Sequence, residues 1–248
     1  MTSPHVLAVL LGLVLLALWE LIARGLGLST LVLPAPSQVL DALLLGMRSG
    51  YLFPHVVQTC TEVVLGLLLG ASLGFAGGVL LGESARVRQI LMPYVVTSQV
   101  VPKLALAPLF IVWFGFGMLP TVVITALICF FPLMENTITA LQQVDGQRLE
   151  LFKMLRATRW QTLWRLKIPA GLPAILAGLR VAVVLAWVGA VVAEFIGAGK
   201  GLGALIIGAQ GSMDTPLMFT VLILITLLGL GSYQATVLFE RWLLNRYL

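Results

Sequence analysis

Residues 144–180, VDGQRLELFKMLRATRWQTLWRLKIPAGLPAILAGLR, concentrate the charge of an otherwise apolar chain. Six of the fifteen lysines and arginines fall between positions 148 and 167: Arg148, Lys153, Arg156, Arg159, Arg165 and Lys167. Long hydrophobic runs lie on both sides. Because charged side chains are costly within a bilayer, such an insert must face water or a soluble partner.

The composition of the whole chain indicates an integral membrane protein. Of 248 residues, 60% are hydrophobic and 10% charged, with a mean hydropathy of +1.05, whereas soluble proteins carry roughly a quarter charged residues. A bilayer-spanning helix needs about 20 apolar residues. Six runs qualify: residues 5–23, 54–81, 90–116, 120–141, 173–196 and 216–239. We predict an all-α fold of six transmembrane helices in a single domain, residues 1–248, with a cytoplasmic loop at about 144–171.

The basic residues also predict the orientation. Ten of them flank the spans on the side of the central loop and three on the other. Since cytoplasmic loops carry the excess of Lys and Arg, the central loop and both termini are expected in the cytoplasm. The net charge of +5 is explained in this way without nucleic acid. Cys60 and Cys129 lie in apolar runs and are interpreted as packing residues.

Two local patterns predict how the first spans are organised. A helix over residues 38–47, capped by Ser37, is too short to cross a bilayer and is expected along its outer surface. Gly66, Gly70 and Gly74 recur at a spacing of four in span two. Because helices in lipid associate through small residues, they predict a close helix neighbour.

Proline and glycine mark the later part of the chain. Three prolines interrupt span three: Pro93, Pro102 and Pro108. A helix so broken is expected inside the bundle or beside a water-filled cavity. Pro173 is expected in the first turn of span five. The stretch at 197–214 is predicted to be a loop, and its GAGKGLG sequence could form an outer gate or turn, or bind an anion through backbone N–H groups.

Helical periodicity over residues 147–158 predicts an amphipathic helix. Its apolar stripe comprises Leu151, Met154, Leu155 and, at the edge, Phe152. Its opposite face carries Glu150, Lys153 and Arg156. Glu150 is expected to pair with Lys153. Two interpretations remain open: the helix rests on anionic lipid, or it docks into a groove of a soluble protein.

Charged residues inside the spans are candidates for a translocation pathway. Glu62, Lys103, Glu135 and Glu194 are the ones we select, because an ionisable group within a bilayer usually serves a pathway or a structural pair. At 1.5 Å per residue, Lys103 and Glu62 reach comparable depths. We hypothesise that these two pair or share a wet cavity. Arg180, near the inner end of span five, is expected to snorkel.

Several motifs carry a resemblance to a known family. The run LELFKMLRATRWQTLWRLKIP resembles the cytoplasmic EAA loop of permease subunits in binding-protein-dependent ABC importers, with Glu150 at the glutamate and Ile168 and Pro169 at the end of the pattern. Leu151 and Phe152 stand where the alanines usually are, and Arg156 where a glycine usually is. Further stretches are similar to the nitrate, sulfonate and taurine branch: LPAPSQV (33–39), PKLALAPLFIVWFGFG (102–117), FFPLMENT (130–137), LPAILAGLR (172–180) and VVAEFIGAGKGLG (191–203).

The resemblance implies a division of labour. A permease of this kind pairs with a second, commonly identical, copy and binds two cytoplasmic ATPase subunits, while an extracytoplasmic binding protein delivers the solute. The coupling helix would then comprise Glu150, Leu151, Phe152, Met154, Leu155 and Arg156. The sequence contains no Walker A motif, so ATP and Mg²⁺ are expected on the partner ATPase, with no cofactor or metal on this chain. The implied solutes are sulfonates, nitrate, taurine or heterocyclic vitamin precursors.

Two other classes of function compete with this expectation. An ion-coupled secondary transporter is the main alternative, against which stand the large basic loop and the lack of an obvious inverted repeat. A membrane enzyme would need clustered acid-base or metal-binding residues, and the sequence shows no such spacing. We therefore expect a multi-pass permease of the inner membrane, surrounded by lipid.

Overall fold

The computed structural model describes residues 4–27, 29–197 and 199–247, with only the backbone described at positions 4, 5, 8 and 247. Every regular element in these ranges is helical. In chain order the helices are α1 (Pro4–Gly25), α2 (Pro36–Arg48), α3 (Leu52–Glu83), α4 (Ala85–Val100), α5 (Ala107–Phe114), α6 (Met118–Gln142), α7 (Gly146–Met154), α8 (Arg159–Thr162), α9 (Ile168–Gly197), α10 (Leu202–Gly211) and α11 (Thr215–Tyr247). A 3₁₀ turn (Lys103–Leu106) precedes α5, and a π-helical turn (Leu163–Lys167) joins α8 to α9.

Four helices are long and apolar enough to cross a membrane: α3, α6, α11, and the continuous 39-residue helix Arg159–Gly197 that α8, the π-helical turn and α9 form together. The bent pair of α4 and α5 makes a fifth span if it is counted as one. The 22 residues of α1 coincide with the first predicted span and suffice for a hydrocarbon core of about 30 Å. The predicted all-α membrane fold is confirmed, and each predicted span corresponds to one of these segments.

The helices α3, α6 and α9 form the centre of the bundle. Glycines of α3 face α6 so closely that a methyl group at Gly66 would collide with Thr125, and one at Gly70 with Ala126. The close neighbour predicted for this glycine stripe is therefore α6. Cys129 and Trp187 are buried in the small-residue cluster where the three helices meet, and the indole N–H of Trp187 donates to Ser232 Oγ of α11 at 3.1 Å.

The third predicted span is broken at one of its three prolines. α4 continues through Pro93, and the chain then bends by 77° between α4 and the helical segment that starts at Lys103, with Pro102 at the bend. None of the residues of α4, all of which the structure describes, is buried. Of the two alternatives, a position inside the bundle does not hold for α4 in the single chain. A position beside a cavity does hold for its end, because Gln99 of α4 and the following Lys103 both line open cavities.

The structure corrects the predicted cap of the second helix. Ser37 lies within the first turn of α2, whose N-cap is Ala35. The backbone N–H of Ser37 donates to Glu20 Oε2 of α1 at 3.1 Å, and its hydroxyl donates to Glu20 Oε1 at 2.9 Å. A carboxylate from another helix thus satisfies a free donor that a local cap would otherwise serve. α2 packs against α11, where Thr220 Oγ1 donates to the carbonyl of Val39 at 2.9 Å.

Two predictions for the second half of the chain are also wrong. Pro173 lies inside α9 rather than in its first turn, because the helix begins upstream at Ile168 and is continuous with the segment from Arg159. The predicted loop at 197–214 contains the ten-residue helix α10, whose residues Leu202, Leu205 and Ile206 are buried against α3 and α11. Burial of these apolar side chains outweighs the helix-breaking tendency of the surrounding glycines.

Candidate functional site

The predicted amphipathic helix folds as α7 and is shorter than expected. Asp145 caps it, with Oδ1 accepting a hydrogen bond from the N–H of Gln147 at 3.0 Å. The helix ends at Met154, so the prediction that it continues to position 158 is wrong. The chain then turns and enters α8, which Thr158 caps in the same way through Gln161.

The end of α7 explains why it stops there. Arg156 adopts a left-handed backbone conformation with φ of 51°. Its N–H donates to the carbonyl of Lys153, and the N–H of Ala157 donates to that of Phe152, both at 3.0 Å. This pair of hydrogen bonds is a Schellman motif, in which the left-handed position usually holds glycine. Arg156 occupies this position with a side chain, where glycine would adopt the conformation without strain.

Apolar side chains of this segment are left uncovered. Leu151, Leu155 and Met154 are 54%, 68% and 80% exposed. Phe152 is half-buried, and Glu150 is exposed. Among the described residues, no ion pair joins Glu150 to Lys153, so that predicted pair is not present. Three neighbouring exposed apolar side chains on a charged segment form a surface suited to a protein partner.

Two tryptophans extend this surface and were missed from the sequence. Trp160 and Trp164 are 67% and 47% exposed, with ring centroids 5.4 Å apart in an edge-to-face arrangement. Their spacing of four residues on a helix places them on one face. That spacing within a basic stretch was the available signal, because exposed tryptophan is typical of protein interfaces.

An ion pair fixes this segment to the bundle. Lys167 Nζ lies 2.6 Å from Oε1 of Glu83, the last residue of α3, and both side chains are largely buried. Leu163 and Leu166 of the π-helical turn are buried beside it. The segment from α7 to α9 is therefore held to the inner end of α3 and cannot swing freely.

Lys103 lies at the bend between α4 and α5. It lines two neighbouring open cavities of about 420 and 290 Å³. Gln99 and Phe131 border both of them. A lysine and an amide beside aromatic and aliphatic walls can bind a small polar or anionic solute.

Glu62 does not join Lys103. It is fully buried on α3, where Oε1 accepts a hydrogen bond from Gln58 Nε2 at 2.7 Å. Its neighbour is Glu194 of α9, also buried, which binds Thr59 one turn earlier on α3. The hypothesis that Glu62 pairs with Lys103 or shares its cavity is thus wrong. Glu194 borders a separate open cavity of about 370 Å³, lined by Phe116, Gly197 and Ala204 among others.

Glu194 also holds the start of α10. Its Oε2 accepts from the N–H of Gly203 at 2.6 Å, and its Oε1 accepts from Thr59 Oγ1 at 2.6 Å. Thr59 Oγ1 in turn accepts from the N–H of Leu202 at 2.8 Å. In the GAGKGLG stretch, of which Ala198 lies outside the described residues, these two N–H groups bind side chains of this chain rather than an external anion.

His55 and Thr59 belong to this network and were missed from the sequence. His55 Nδ1 lies 2.9 Å from the carbonyl oxygen and 3.2 Å from the nitrogen of Gly201. His55, Thr59 and Glu62 follow one another at spacings of four and three, and the same face of α3 continues into Gly66. A polar stripe in line with a glycine stripe was the available signal, because both face the neighbouring helices.

The remaining predicted charges lie apart from this network. Glu135 of α6 is half-buried, and its Oε2 has no hydrogen-bond partner among the described atoms. Arg180 does not simply snorkel, since its Nε lies 3.0 Å from Glu240 Oε2 of α11. No group of three or more His, Cys, Asp or Glu side chains in the described ranges could hold a metal ion.

Comparison with known proteins agrees with this architecture. Residues 63–245 match the family model for the "Binding-protein-dependent transport system inner membrane component". The chain is 36% identical to the formylaminopyrimidine transport permease protein ThiX of Halalkalibacterium halodurans, over 94% of this chain and 92% of that protein. It is 37% identical to the putative aliphatic sulfonates transport permease protein SsuC of Bacillus subtilis, over 95% and 86%.

A solved structure shows the same fold. A chain from the inward-facing MetNI methionine ABC transporter superposes with a TM-score of 0.67 at 21% identity, covering 77% of this chain and 94% of that one. The extent of the family match and of the sequence identity to both relatives leads to one conclusion. This chain belongs to the inner-membrane components of binding-protein-dependent transport systems, the permease subunits of ABC importers for small solutes, which have no catalytic activity of their own.

Proposed function

We propose that this chain is the membrane-spanning subunit of an ATP-driven importer that works by alternating access. An extracytoplasmic binding protein delivers the solute, and two cytoplasmic ATPase subunits bind and hydrolyse ATP with Mg²⁺. The solute belongs to the sulfonate, nitrate, taurine or heterocyclic vitamin-precursor class. The two similar permeases, one named for formylaminopyrimidine and one for aliphatic sulfonates, support this range.

The observation that carries the proposal is the exposed apolar surface of the coupling segment and its rigid connection to the bundle. Met154 and Leu155 project from the end of α7, and Trp160 lies at the start of the 39-residue helix that runs to Gly197. Force applied to this surface by an ATPase reaches α9 through continuous helix. We assign Glu150, Leu151, Phe152 and Arg156 to the same contact, together with Met154 and Leu155.

A second copy of the chain completes the proposed assembly. Val100 and Phe116, at the ends of the two halves of the broken span, are 81% and 82% exposed. Their position beside the cavities around Lys103 and Glu194 suits a contact with a second permease across a shared path. Lipid surrounds the outer helices, and both termini lie in the cytoplasm with the coupling segment.

The proposed pathway follows the open cavities. Lys103 lines two of them and would face the solute or its water. Glu194 borders the third from a buried position and belongs to its wall. Glu62 and Glu135 are assigned to positions behind that path, where they support its walls.

The test is association with the ATPase. Met154→Glu places a charge within the proposed contact and is expected to weaken ATPase binding by about 2 kcal/mol, roughly 30-fold. Gln143→Glu, an exposed change just outside α7, is the matched control and should bind normally. Co-purification from membranes and ATP-dependent uptake in proteoliposomes are the measurements. Equal binding by both variants refutes the coupling role, and solute uptake by the chain without any ATPase would instead support an ion-coupled transporter.

The solute is identified through the binding protein. The ligand retained by that protein on purification, tested for uptake by the complete reconstituted transporter, should fall in the class named above. Retention and uptake of an unrelated solute, such as a peptide or a metal ion, would contradict the substrate part of the proposal.

A further inference from the structure

Glu62 and Glu194 are two acidic side chains buried together without a cation. Glu62 is 0% and Glu194 is 1% exposed. The ion pairs among the described residues are Glu20 with Arg24, Asp145 with Arg148, Glu83 with Lys167 and Glu240 with Arg180, so neither of the two carboxyls takes part in one. Two carboxylates in contact and out of water cannot both be ionised at acceptable cost.

The two carboxyls differ in how many of their oxygens accept a hydrogen bond. Both oxygens of Glu194 accept from donors, Thr59 Oγ1 and the N–H of Gly203, as expected of a carboxylate. Glu62 accepts on one oxygen only, from Gln58, and its fully buried Oε2 has no donor near it. An oxygen so placed beside a second carboxyl is satisfied when it carries a proton and donates.

We propose that Glu62 and Glu194 form a binding site for a single proton, held on Glu62 Oε2 and donated in a hydrogen bond to Glu194. The bound proton joins α3 to α9 at the position where Glu194 holds the first turn of α10. It therefore stabilises the contact of three helices at once.

Other titratable groups near the pair do not replace the proton. His55 of α3 contacts the backbone of Gly201, and Cys60 lies two residues before Glu62 on the same helix. From the described part of the segment before α10 the only charged side chain is Lys200, which is exposed and makes no ion pair there. The open cavity beside Glu194 gives the proton an aqueous route.

Loss of the proton has a mechanical consequence. A second negative charge beside Glu194 would repel it, and the carboxylates would separate or attract water. Either response breaks the hydrogen bonds that Glu194 and Thr59 make to the N–H groups of Gly203 and Leu202. The site thus makes the attachment of α10 sensitive to pH, independently of which solute is carried.

The test compares two amide substitutions in the full chain. Glu62→Gln keeps both hydrogen bonds, because the amide NH₂ donates to Glu194 and the amide oxygen accepts from Gln58, but it cannot lose a proton. Glu194→Gln leaves one acceptor oxygen where Thr59 and Gly203 need two. Asp41→Asn, at an exposed carboxyl of α2, is the matched control.

The first measurement is the melting temperature of the purified protein in detergent as a function of pH. The folded protein holds a proton that the unfolded chain releases at neutral pH, so wild-type stability should fall as the pH rises. Glu62→Gln should lose that fall while matching the wild type at low pH, Asp41→Asn should retain it, and Glu194→Gln should melt lower throughout. A fall of equal size in the wild type and in Glu62→Gln overturns the proposal, as does a Glu62→Gln protein as unstable as Glu194→Gln.

The second measurement is made first on the wild type, so its main result does not depend on whether a variant folds. Infrared spectra of the wild type in lipid at neutral pH should show the C=O stretch of a protonated carboxyl, and Glu62→Gln should lose it. Absence of this band from the wild type overturns the proposal. A stabilisation by Na⁺ that Glu62→Gln removes, in the absence of a protonated carboxyl, would assign the site to a metal cation instead and also overturn it.

Discussion

On the glycine face of α3, alanine should be tolerated at Gly77 and destabilising at Gly70. A methyl group added at Gly70 would collide with the carbonyl oxygen of Ala126 and lie 2.9 Å from its Cα. At Gly77, two turns further on, the nearest atoms would be Met134 Sδ at 3.5 Å and Phe130 Cε2 at 3.6 Å. Ordinary carbon contacts are about 3.5–4.0 Å. Gly70→Ala therefore requires α3 and α6 to separate by roughly 0.6–1 Å, while Gly77→Ala requires no movement.

The expected energies follow from this difference. Each substitution gains about 1 kcal/mol of helix propensity. Overpacking against backbone costs Gly70→Ala about 1–3 kcal/mol. Gly77→Ala should raise the free energy of unfolding by up to about 1 kcal/mol, and Gly70→Ala should lie about 1–3 kcal/mol below it.

The pair of variants isolates the packing effect, because helix propensity is common to both. Reversible unfolding in mixed micelles, with both variants measured against the wild type, provides the free energies. Equal changes in the two variants would refute the conclusion that α6 contacts the backbone of α3 at Gly70, whatever their sign.

Three further predictions concern the coupling segment and the pathway. Arg156→Gly should relieve about 1–2 kcal/mol of left-handed backbone strain, offset by roughly 0.5–1 kcal/mol of chain entropy; thermal melting measures the net change, and destabilisation would contradict the Schellman geometry. Glu83→Gln leaves Lys167 largely buried without its carboxylate and should lower the free energy of unfolding by about 1–3 kcal/mol. A double-mutant cycle with Lys167→Met checks this, and strictly additive effects would argue against the ion pair. Lys103→Met should reduce uptake by the reconstituted transporter about tenfold or more, equivalent to ~1.4 kcal/mol, with Lys200→Met as the control; equal uptake by the two would remove Lys103 from the pathway.

The spans were predictable because the bilayer constrains them more strongly than packing does. A helix that crosses it must satisfy every backbone group within an apolar run of about 20 residues, so hydropathy alone located the segments that became α3, α6 and α11. The glycine stripe was equally informative, because small residues at a spacing of four have few uses in lipid other than close packing.

The buried carboxyl pair was not predictable by the same reasoning. We expected oppositely charged side chains to form ion pairs within the bilayer, which favoured Lys103 as the partner of Glu62. The estimate of depth matched Glu62 with Lys103 as well. Two acidic groups buried without a cation are compatible when they share a proton, and sequence alone does not show protonation. Tertiary contacts likewise decide the cap of α2, where Glu20 of another helix replaces Ser37, and the folding of α10 among glycines.

The continuous helix from Arg159 to Gly197 can transmit motion from one side of the membrane to the other as a rigid body. At 1.5 Å per residue its 39 residues extend about 58 Å. A tilt of about 5° around its middle would displace the two ends by about 2.5 Å in opposite directions. Trp160 lies near one end of this helix and Glu194 near the other. A displacement of the inner end would therefore move the end beside α10 in the opposite direction. Under the proposed alternating access, this rocking motion would widen one end of the path as it narrows the other.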